Sequence, residues 1–581
     1  MSRRGAAPAL ALAALALAAG GTGQAAAAPG QLDTSFAGGG TAATPFGLGA
    51  RAFGMALAPD GRIVVAGDQR GAGGEGALSA RFSAAGVLDR SFAGSGGRID
   101  RFGSGATPQR AGAVAVQADG SAIVAGVAGG TWSLARYQPD GLSDGLFGAA
   151  GVTLRDPTPG AGPEEEYPGE EPSLPDGTGP AAIALAANGQ IVVAGNTGVE
   201  NDDGVPGEQI VVARFGPTGV PDPAFGRDGF VLLQLGFGSA VRHASSAARA
   251  LSLLPDGRIL LAGRASARDG GDRALVARLT AAGRLDTSFA RQGRLLVQLG
   301  RASAARVASS ALEALVQRPD GRLLAAGRAT DVAGGHMTLV ASFTAGGALD
   351  NAFGRHGFVV TQLGTAAART APPASLARAL ALAPDGSAVV AGAATGGSAA
   401  ARFGPLGNLD CGFGSRGRAS SFGSAGFDAM VDGAYTAALQ PDGNVVVAGR
   451  RAGGGLLLGR LLGGASSAPA PAAAPRLVTL APRYTGRGRG YAYGVVDSRC
   501  SPVDVRFTIA GPNGRTVKTP VQRVRRRYGS QVVCATLTGL RPGRRYAIRV
   551  VSAAGARAHG AQRTLRALAP GRRGRAQEGC T

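Results

Sequence analysis

Short apolar segments recur along most of the chain, and each follows a turn of one type. Pro59 to Gly67 reads Pro-Asp-Gly-Arg-Ile-Val-Val-Ala-Gly, and Pro441 to Gly449 repeats it with Asn444 after the turn. Proline presets the backbone, aspartate or asparagine tolerates the turn, and glycine takes the positive φ that a tight hairpin requires. Seven such turns each predict a β-hairpin with an Ala-Gly pair in its second strand: Asp60-Gly61, Asp119-Gly120, Asn188-Gly189, Asp256-Gly257, Asp320-Gly321, Asp385-Gly386 and Asp442-Gly443.

A second repeated element alternates with these hairpins. A glycine-flanked β-prone run follows most copies, and a strand with an arginine precedes nearly all of them, so each repeat predicts about four strands. A ring of four-stranded sheets buries both faces of every sheet and leaves few exposed edges. We therefore predict an all-β chain with a seven-bladed β-propeller over residues 31–462. The element is an aspartate three residues before a phenylalanine: Asp33/Phe36, Asp89/Phe92, Asp144/Phe147, Asp222/Phe225, Asp286/Phe289, Asp350/Phe353 and Asp410/Phe413.

The two ends of the array complement each other. Leu32 to Phe36 lacks the strand that precedes the other copies, and Leu456 to Leu462 lacks the Leu-Asp element that follows them. We expect the last strand to pack against the first Leu-Asp element and so to lock the ring.

The motifs resemble those of the delta-60 repeat family, which consists of exported bacterial β-propeller repeats. The resemblance covers about Gln31 to Leu462 and is carried by the Leu-Asp-x-Ser-Phe, Pro-Asp-Gly-x-Ile-Val-Val-Ala-Gly and Leu-Ala-Arg-Tyr elements. It implies a propeller and an extracellular setting, and it brings no catalytic residues. Asn188 and Ser342 depart from the pattern, as does Gly145-Leu146 before Phe147.

The N-terminus is typical of an export signal. A basic start is followed by an Ala- and Leu-rich stretch and by small residues before Pro29, so residues 1–28 predict a signal peptide and a secreted or envelope-associated protein. No later segment reaches the roughly 18 apolar residues that a transmembrane helix needs.

A second domain follows an Ala- and Pro-rich spacer at residues 463–475. Residues 476–568 alternate as half-buried strands and predict a small immunoglobulin-like β-sandwich, and residues 569–581 predict a basic disordered tail. Ala535 to Ala556 resembles the last strands of a fibronectin type III domain, although the usual early tryptophan is missing.

The cysteines suggest one disulfide in this second domain. Export places them where disulfides persist, and a small sandwich gains from cross-linking. We expect Cys500 to bond Cys534, and Cys411 and Cys580 to be free.

Positive charge is concentrated in this second domain. The formal net charge is +22, and residues 476–581 hold 22 Lys and Arg against Asp497, Asp504 and Glu578. Such an excess favours a polyanion, which for an exported protein is an anionic envelope polymer; we expect no specific nucleic-acid recognition. The candidate polyanion-binding residues are Arg523, Arg525, Arg526, Arg527, Arg541, Arg544 and Arg545.

Signs of catalysis are few. The four histidines do not fall at zinc-ligand spacings, and the single lysine, Lys518, is outside any P-loop motif. We interpret the repeated strand arginines as structural ion pairs or turn anchors, with a ring of metal or ligand sites as the alternative, and we expect no cofactor. Glu200, Asp202 and Asp203 follow the third hairpin, and we interpret them as a solvated acidic loop, with a cation site as the alternative.

Three function classes follow. We favour a non-catalytic exported scaffold whose propeller loops bind protein or glycan and whose basic domain docks on the envelope. An enzyme acting at the central channel, with lyase, hydrolase or quinone-dependent oxidoreductase chemistry, and a structural matrix protein are the alternatives. Symmetry-breaking His, Asp or Glu at the channel would favour the enzyme, and apolar or aromatic surfaces would favour the binder.

Overall fold

The computed structural model describes residues 29–566 with short gaps, so the predicted signal peptide, nearly all of the spacer and the basic tail lie outside the described residues. The gaps are residues 43, 72–73, 103–108, 158–177, 201–205, 239–243, 302–306, 331–334, 364–373, 396, 415–417, 421–432, 452–453, 465–475, 480–481, 487–488, 498–502, 525–529, 542 and 554–561.

Seven successive antiparallel sheets form the first part of the described chain. In each, the strands follow one another in chain order; six sheets have four strands and the last has three. The first three sheets contain β1 (Ala50–Leu57), β2 (Ile63–Gly71), β3 (Gly74–Phe82), β4 (Gly97–Asp100); β5 (Gln109–Val116), β6 (Ala122–Ala128), β7 (Thr131–Tyr137), β8 (Val152–Arg155); and β9 (Gly179–Leu185), β10 (Ile191–Glu200), β11 (Pro206–Phe215), β12 (Phe230–Leu233). The other four contain β13 (Ser246–Leu253), β14 (Ile259–Ser266), β15 (Asp272–Leu279), β16 (Arg294–Val297); β17 (Ser310–Gln317), β18 (Leu323–Thr330), β19 (His336–Phe343), β20 (Phe358–Thr361); β21 (Ser375–Leu382), β22 (Ala388–Ala394), β23 (Gly397–Phe403), β24 (Arg418–Ser420); and β25 (Gly433–Leu439), β26 (Val445–Arg450), β27 (Leu456–Leu461).

The core lies between neighbouring sheets. All seven phenylalanines of the Asp-x-x-Phe element are at most 1% exposed. Phe289 packs with Leu260 of one sheet and Leu339 of the next. The same kind of cluster joins Val446 of the last sheet to Ile63 of the first. Each sheet therefore buries both faces, and the arrangement is β-propeller-like.

The N-terminal segment completes the last sheet. A single 3₁₀ turn (Phe36–Gly38) follows it. Leu32 bridges Leu461, and the Asp33 N–H donates to the Arg460 carbonyl at 2.9 Å. This contact between the two ends of the array is the one that the sequence predicts.

Two further sheets form the second part of the chain. Their strands are β28 (Arg476–Thr479), β29 (Arg483–Gly486), β30 (Arg489–Asp497), β31 (Val503–Ala510), β32 (Thr516–Lys518), β33 (Gln522–Val524), β34 (Ser530–Leu537), β35 (Arg545–Ser552) and β36 (Arg563–Arg566). One sheet holds β28, β29, β30 and β34, and the other holds the remaining five. Phe507 and Ile548 of the second share one apolar cluster with Val496 of the first. The Tyr546 hydroxyl accepts a hydrogen bond from the Arg541 N–H at 2.6 Å, as a tyrosine corner does.

One expectation about the cysteines is wrong. Cys411 and Cys534, the two cysteines within the described residues, are both disulfide-bonded. Cys411 lies partly exposed on the turn between Asp410 and Phe413 and not in the core between the sheets, so its place in the repeat does not leave it free. Cys500 and Cys580 lie outside the described residues, and the Cys500–Cys534 pairing stays a prediction.

Candidate functional site

One arginine and one aspartate form an ion pair in nearly every repeat. The arginine lies on the third strand of a sheet, and its aspartate follows eight residues later; Arg460 instead reaches back to Asp33. The shortest N···O distances are 2.5–2.9 Å, which confirms the interpretation of these arginines as structural ion pairs. The pairs are Arg81–Asp89, Arg136–Asp144, Arg214–Asp222, Arg278–Asp286, Arg402–Asp410 and Arg460–Asp33.

The same guanidinium groups connect neighbouring sheets. Each lies over the phenylalanine of its own Asp-x-x-Phe element, 4.7–5.2 Å from the ring centroid. Each also donates to a backbone carbonyl beyond its own sheet; Arg278 Nη1 lies 3.2 Å from the Ala345 oxygen of the next one. We call these six residues the inter-sheet arginines. Each makes an ion pair, a cation–π contact and a hydrogen bond to a backbone carbonyl beyond its own sheet.

In the fifth sheet, an arginine at a different position makes the guanidinium contact with the next sheet. Ser342 stands at the arginine position, and its hydroxyl lies 3.3 Å from the Asp350 carboxylate. Arg318, on the preceding hairpin turn, donates to the Pro405 carbonyl at 2.9 Å and lies 5.8 Å from the Phe353 ring. Burial lowers the pKa of Arg318. The guanidinium contact between the sheets is therefore kept, although the arginine that makes it lies on the hairpin turn and not on the third strand.

Asp286 shows the electrostatics of a repeated pair. The Ser288 hydroxyl, the Ser288 N–H and then Arg278 favour the carboxylate over the opposing effect of burial, and together they lower the pKa of Asp286 to about 2. The group is therefore charged in the folded protein throughout the neutral range.

The Ala-Gly pair of each repeat has a different structural role. Opposite its glycine, the first strand of the sheet carries a β-bulge; β13, for example, shifts register between Ala248 and Ala250. A Cβ on Gly263 would overlap the Ala247 carbonyl oxygen. Glycine is thus required where the bulge brings two backbones together, and the bulge redirects the extra residue, here Arg249.

The bulged residues meet around the axis of the array. Each sheet's first strand contacts the first strand of the next, and β25 contacts β1. Bulged residues of three successive first strands touch in turn: Arg378 Cζ lies 4.1 Å from the Tyr435 ring, and the Tyr435 and Phe53 centroids are 5.3 Å apart. We call the seven bulged residues the axial ring: Phe53, Gly112, Ala181, Arg249, Glu313, Arg378 and Tyr435.

One side of the axial ring is cationic and aromatic. Arg51 and Arg110 lie 5.2 and 5.5 Å from the Phe53 centroid, the first also paired with Asp68. We call Arg51, Phe53, Arg110, Arg378 and Tyr435 the cationic sector. Phe53 and Tyr435 are both half-buried.

The opposite side of the axial ring is occupied by ion pairs. Arg249 lies 3.7 Å from Glu208, which also binds Arg264, and Arg264 lies 3.6 Å from Asp272. Glu313 accepts from Arg328 at 2.8 Å. Opposite charges balance in this half.

The second part of the chain presents a basic face. Along β31 and β35 the apolar side chains point to the core, so Arg506 and Arg549 lie on the outer surface of the sheet. Cross-strand pairing adds Lys518, opposite Thr508, and Arg523, opposite Asp504, and Arg545 begins β35 on the same side. The basic face consists of Arg506, Lys518, Arg523, Arg545 and Arg549.

The predicted polyanion-binding residues are only partly on this face. Arg523 and Arg545 lie on it, and Arg541 and Arg544 are exposed in the turn just before β35. Arg525, Arg526 and Arg527 lie outside the described residues. Sequence reasoning missed Arg506 and Arg549, which are the polar positions of Val-Asp-Val-Arg-Phe-Thr-Ile and Tyr-Ala-Ile-Arg-Val-Val.

The structure does not describe the side chains of the predicted acidic loop. Asp202 and Asp203 lie outside the described residues, as does the side chain of Glu200. Within the described ranges, no group of three or more His, Cys, Asp or Glu could hold a metal ion. The same ranges contain no helix of the length and apolarity that a membrane crossing requires.

Comparisons with known proteins support a propeller-type repeat protein. Residues 58–92, 186–225, 254–289 and 318–353 match the family model described as a domain of unknown function (DUF5122) beta-propeller. No curated protein matches the chain.

Several solved structures resemble parts of the chain at low similarity. A protein from Lactobacillus plantarum is 14% identical, with a TM-score of 0.29, over 83% of this chain and 100% of its own. Prolyl oligopeptidase B from Galerina marginata is 8% identical (TM-score 0.33; 77% of this chain, 55% of its own). An α-L-arabinofuranosidase from Podospora anserina is 12% identical (TM-score 0.24; 51% and 85%).

Proposed function

We propose that the protein is an exported, non-catalytic binding protein that docks on anionic polymers of the cell envelope. In this proposal residues 1–28 direct export, residues 31–462 form a closed seven-bladed propeller of the delta-60 type, and a fibronectin type III-like domain carries the docking surface. The propeller loops bind a protein or glycan ligand.

The basic face is the observation that carries the proposal. Five cationic side chains share one surface of a sheet, and in its described part Asp504 is the one carboxylate that shares it, 3.8 Å from Arg523. Arg523 is 71% exposed, so its charge is available to a partner. A polymer with regularly spaced negative groups matches several such cations at once and releases counterions when it binds.

The axial ring supports a binding role for the propeller as well. Its symmetry-breaking side chains include arginines and two aromatic rings, and its carboxylate, Glu313, is held by Arg328. Arginine and tyrosine are enriched where proteins bind partners.

A polymer titration of the full mature chain tests the docking proposal. The variant Lys518→Gln/Arg523→Gln/Arg545→Gln should bind a heparin-like polymer, a wall polymer and DNA all more weakly, with a salt dependence of log K on DNA that is shallower by roughly one unit for each lost contact. The matched control, Arg62→Gln/Arg258→Gln/Arg322→Gln, removes the same charge from exposed propeller turns and should bind as the parent does. Equal weakening by both variants, or binding that does not change with salt, would contradict the proposal.

A further inference from the structure

The cations of the basic face stand in rows that follow the strand register. Thr508 of β31 is opposite Lys518 on one side and Arg549 on the other, so these two cations share one row. Arg506 lies two residues before Thr508 on β31 and occupies the next row of the same face. Two residues of a strand span about 7 Å, so these two rows of positive charge are about 7 Å apart.

The series of rows continues at both ends. Asp504 stands one row beyond Arg506, and Arg523 is opposite it, 3.8 Å from its carboxylate. In the other direction Arg545, on β35 four residues before Arg549, lies two rows away. Three successive rows therefore carry cations at intervals of about 7 Å, and a fourth cation follows after one empty row.

The two central arginines of the face are not held by carboxylates of the described chain. No described carboxylate pairs with Arg506 or Arg549, and the Nε of each is buried without a hydrogen-bond partner among the described residues. A buried donor without a partner costs free energy, which a guanidinium recovers when it turns its planar fork to an oxygen pair of an anion. Lys518 is exposed in the same row as Arg549. An anionic ligand would therefore supply acceptors that the described protein does not.

The spacing of the rows matches one kind of charged polymer. Consecutive phosphorus atoms of a glycerol phosphate chain are separated by six bonds, as are equivalent backbone atoms two residues apart in a peptide. Both chains therefore repeat at about 7 Å when they are extended. The carboxylates of a uronic acid polymer are instead attached to rigid rings, so their spacing cannot adjust to the rows in the same way.

Nucleic acids share the six-bond repeat between phosphates, but the face offers nothing for their bases. Proteins that bind single strands stack the bases on aromatic side chains. The aromatic residues of this sheet, Phe507 and Tyr546, are buried in the core, and its described outer surface carries none. The face therefore favours a phosphodiester chain that has no bases.

We propose that the basic face binds a polyol phosphate chain of the cell envelope, laid along the strands. Its consecutive phosphates lie over the row of Lys518 and Arg549, over Arg506 and beside Arg523. This inference rests on the proposed docking function and names the ligand class. It goes beyond attraction by charge density, because it requires that the phosphates and the rows have the same spacing. A polymer with the same charge but a different spacing binds more weakly.

Titrations of the full mature chain at equal concentrations of polymer charge test the inference. Poly(glycerol phosphate) should bind at least about tenfold more tightly than polygalacturonate, and more tightly than oligodeoxythymidine. Equal affinity for poly(glycerol phosphate) and polygalacturonate would overturn the inference and leave the docking proposal intact. Binding of oligodeoxythymidine as tight as that of poly(glycerol phosphate), or tighter, would overturn it in favour of nucleic acid. Failure of all three polymers to bind would contradict both proposals.

A variant of unchanged net charge tests the spacing of the rows. Arg506→Thr/Thr508→Arg exchanges two residues of one face, so it empties one row and adds its cation to the next. It should lose most of the preference for poly(glycerol phosphate) and bind polygalacturonate as the parent does. If this variant does not fold, Arg506→Gln should reduce the preference in the same direction, whereas Arg62→Gln, on an exposed propeller turn, should leave it unchanged. An undiminished preference in a folded Arg506 variant would overturn the inference.

Discussion

The interfaces between the sheets and the axial ring use the same residue types for opposite purposes. At the interfaces, an arginine, an aspartate and a phenylalanine repeat almost without change, and the fifth sheet recovers the guanidinium contact through Arg318. In the axial ring the bulge repeats, but its residue changes from glycine to glutamate to tyrosine. The repeated positions therefore maintain the fold. The bulged position of the axial ring does not need one residue type, and its side chain differs from sheet to sheet.

The largest expected effect comes from the glycine that permits the bulge. Gly263→Ala should lower the free energy of unfolding by about 3 kcal/mol, because its Cβ overlaps the Ala247 carbonyl and the backbones must separate. Gly198→Ala is the matched control, since no heavy atom lies within 4 Å of its Cβ position. Chemical denaturation measures both, and similar stability of the two variants would show that the glycine is not needed for the bulge.

Removal of an inter-sheet arginine should have a comparable or slightly smaller effect. Arg278→Met leaves the nearly buried Asp286 carboxylate without its closest cation, and such a loss costs about 3 kcal/mol. Arg258 also approaches Asp286, at 3.5 Å, but its side chain is 38% exposed, so Arg258→Met should cost less than about 1 kcal/mol. Thermal melts of the two variants measure the difference in stability. An equal loss of stability in Arg258→Met and Arg278→Met would contradict the assignment of Arg278 to the interface.

The contribution of Asp286 should depend on pH in a defined direction. Its folded pKa of about 2 lies below the ordinary value of 3.8, so the carboxylate stabilises the folded state above pH 3.8, and this contribution is lost as the pH falls through about 2. The stability difference between the parent and Asp286→Asn should therefore be largest near neutral pH and shrink below about pH 4. Urea midpoints between about pH 6 and pH 2.5 measure it. A difference independent of pH would contradict the ionised pair.

The smallest expected effect tests the relocated arginine of the fifth sheet. Ser342→Arg alone should destabilise by about 1 kcal/mol, because Arg318 already occupies the interface and brings like charge. Adding Arg318→Ala should restore stability, since the repeat pattern then returns. A double variant less stable than either single variant would show that the two positions are not equivalent.

The sequence predicted the fold elements better than the axial ring. The turns and the Asp-x-x-Phe pairs are short-range signals, so sheets, buried phenylalanines and the contact of Leu32 with the last strand could be read from them. Period-two alternation places every residue on one of two faces, and a bulge breaks that rule, so Phe53 and Arg378 could not be assigned to the axis by alternation alone. A usable signal does exist, because every ring residue stands fourteen positions before an Ala-Gly glycine, from Phe53 and Gly67 to Tyr435 and Gly449.

The basic domain shows a second limit of sequence reasoning. Clusters of adjacent arginines drew the prediction to Arg523 and to Arg544-Arg545, whereas Arg506 and Arg549 are isolated in sequence and meet on one face only through strand pairing. Charge shared across strands is a property of the register, which the alternating pattern predicts only once the pairing is known.

A matched pair of thermal melts tests most directly whether the repeated interfaces, rather than the axial ring, hold the fold. Arg278→Met and Arg249→Met make the same substitution at an interface and in the axial ring. Arg278→Met should melt several degrees below the parent, because the Asp286 carboxylate loses its closest cation, whereas Arg249→Met should melt close to the parent, because Glu208 keeps its ion pair with Arg264. An equal loss of melting temperature in the two variants, or a larger loss in Arg249→Met, would contradict the division between the repeated interfaces and the variable ring.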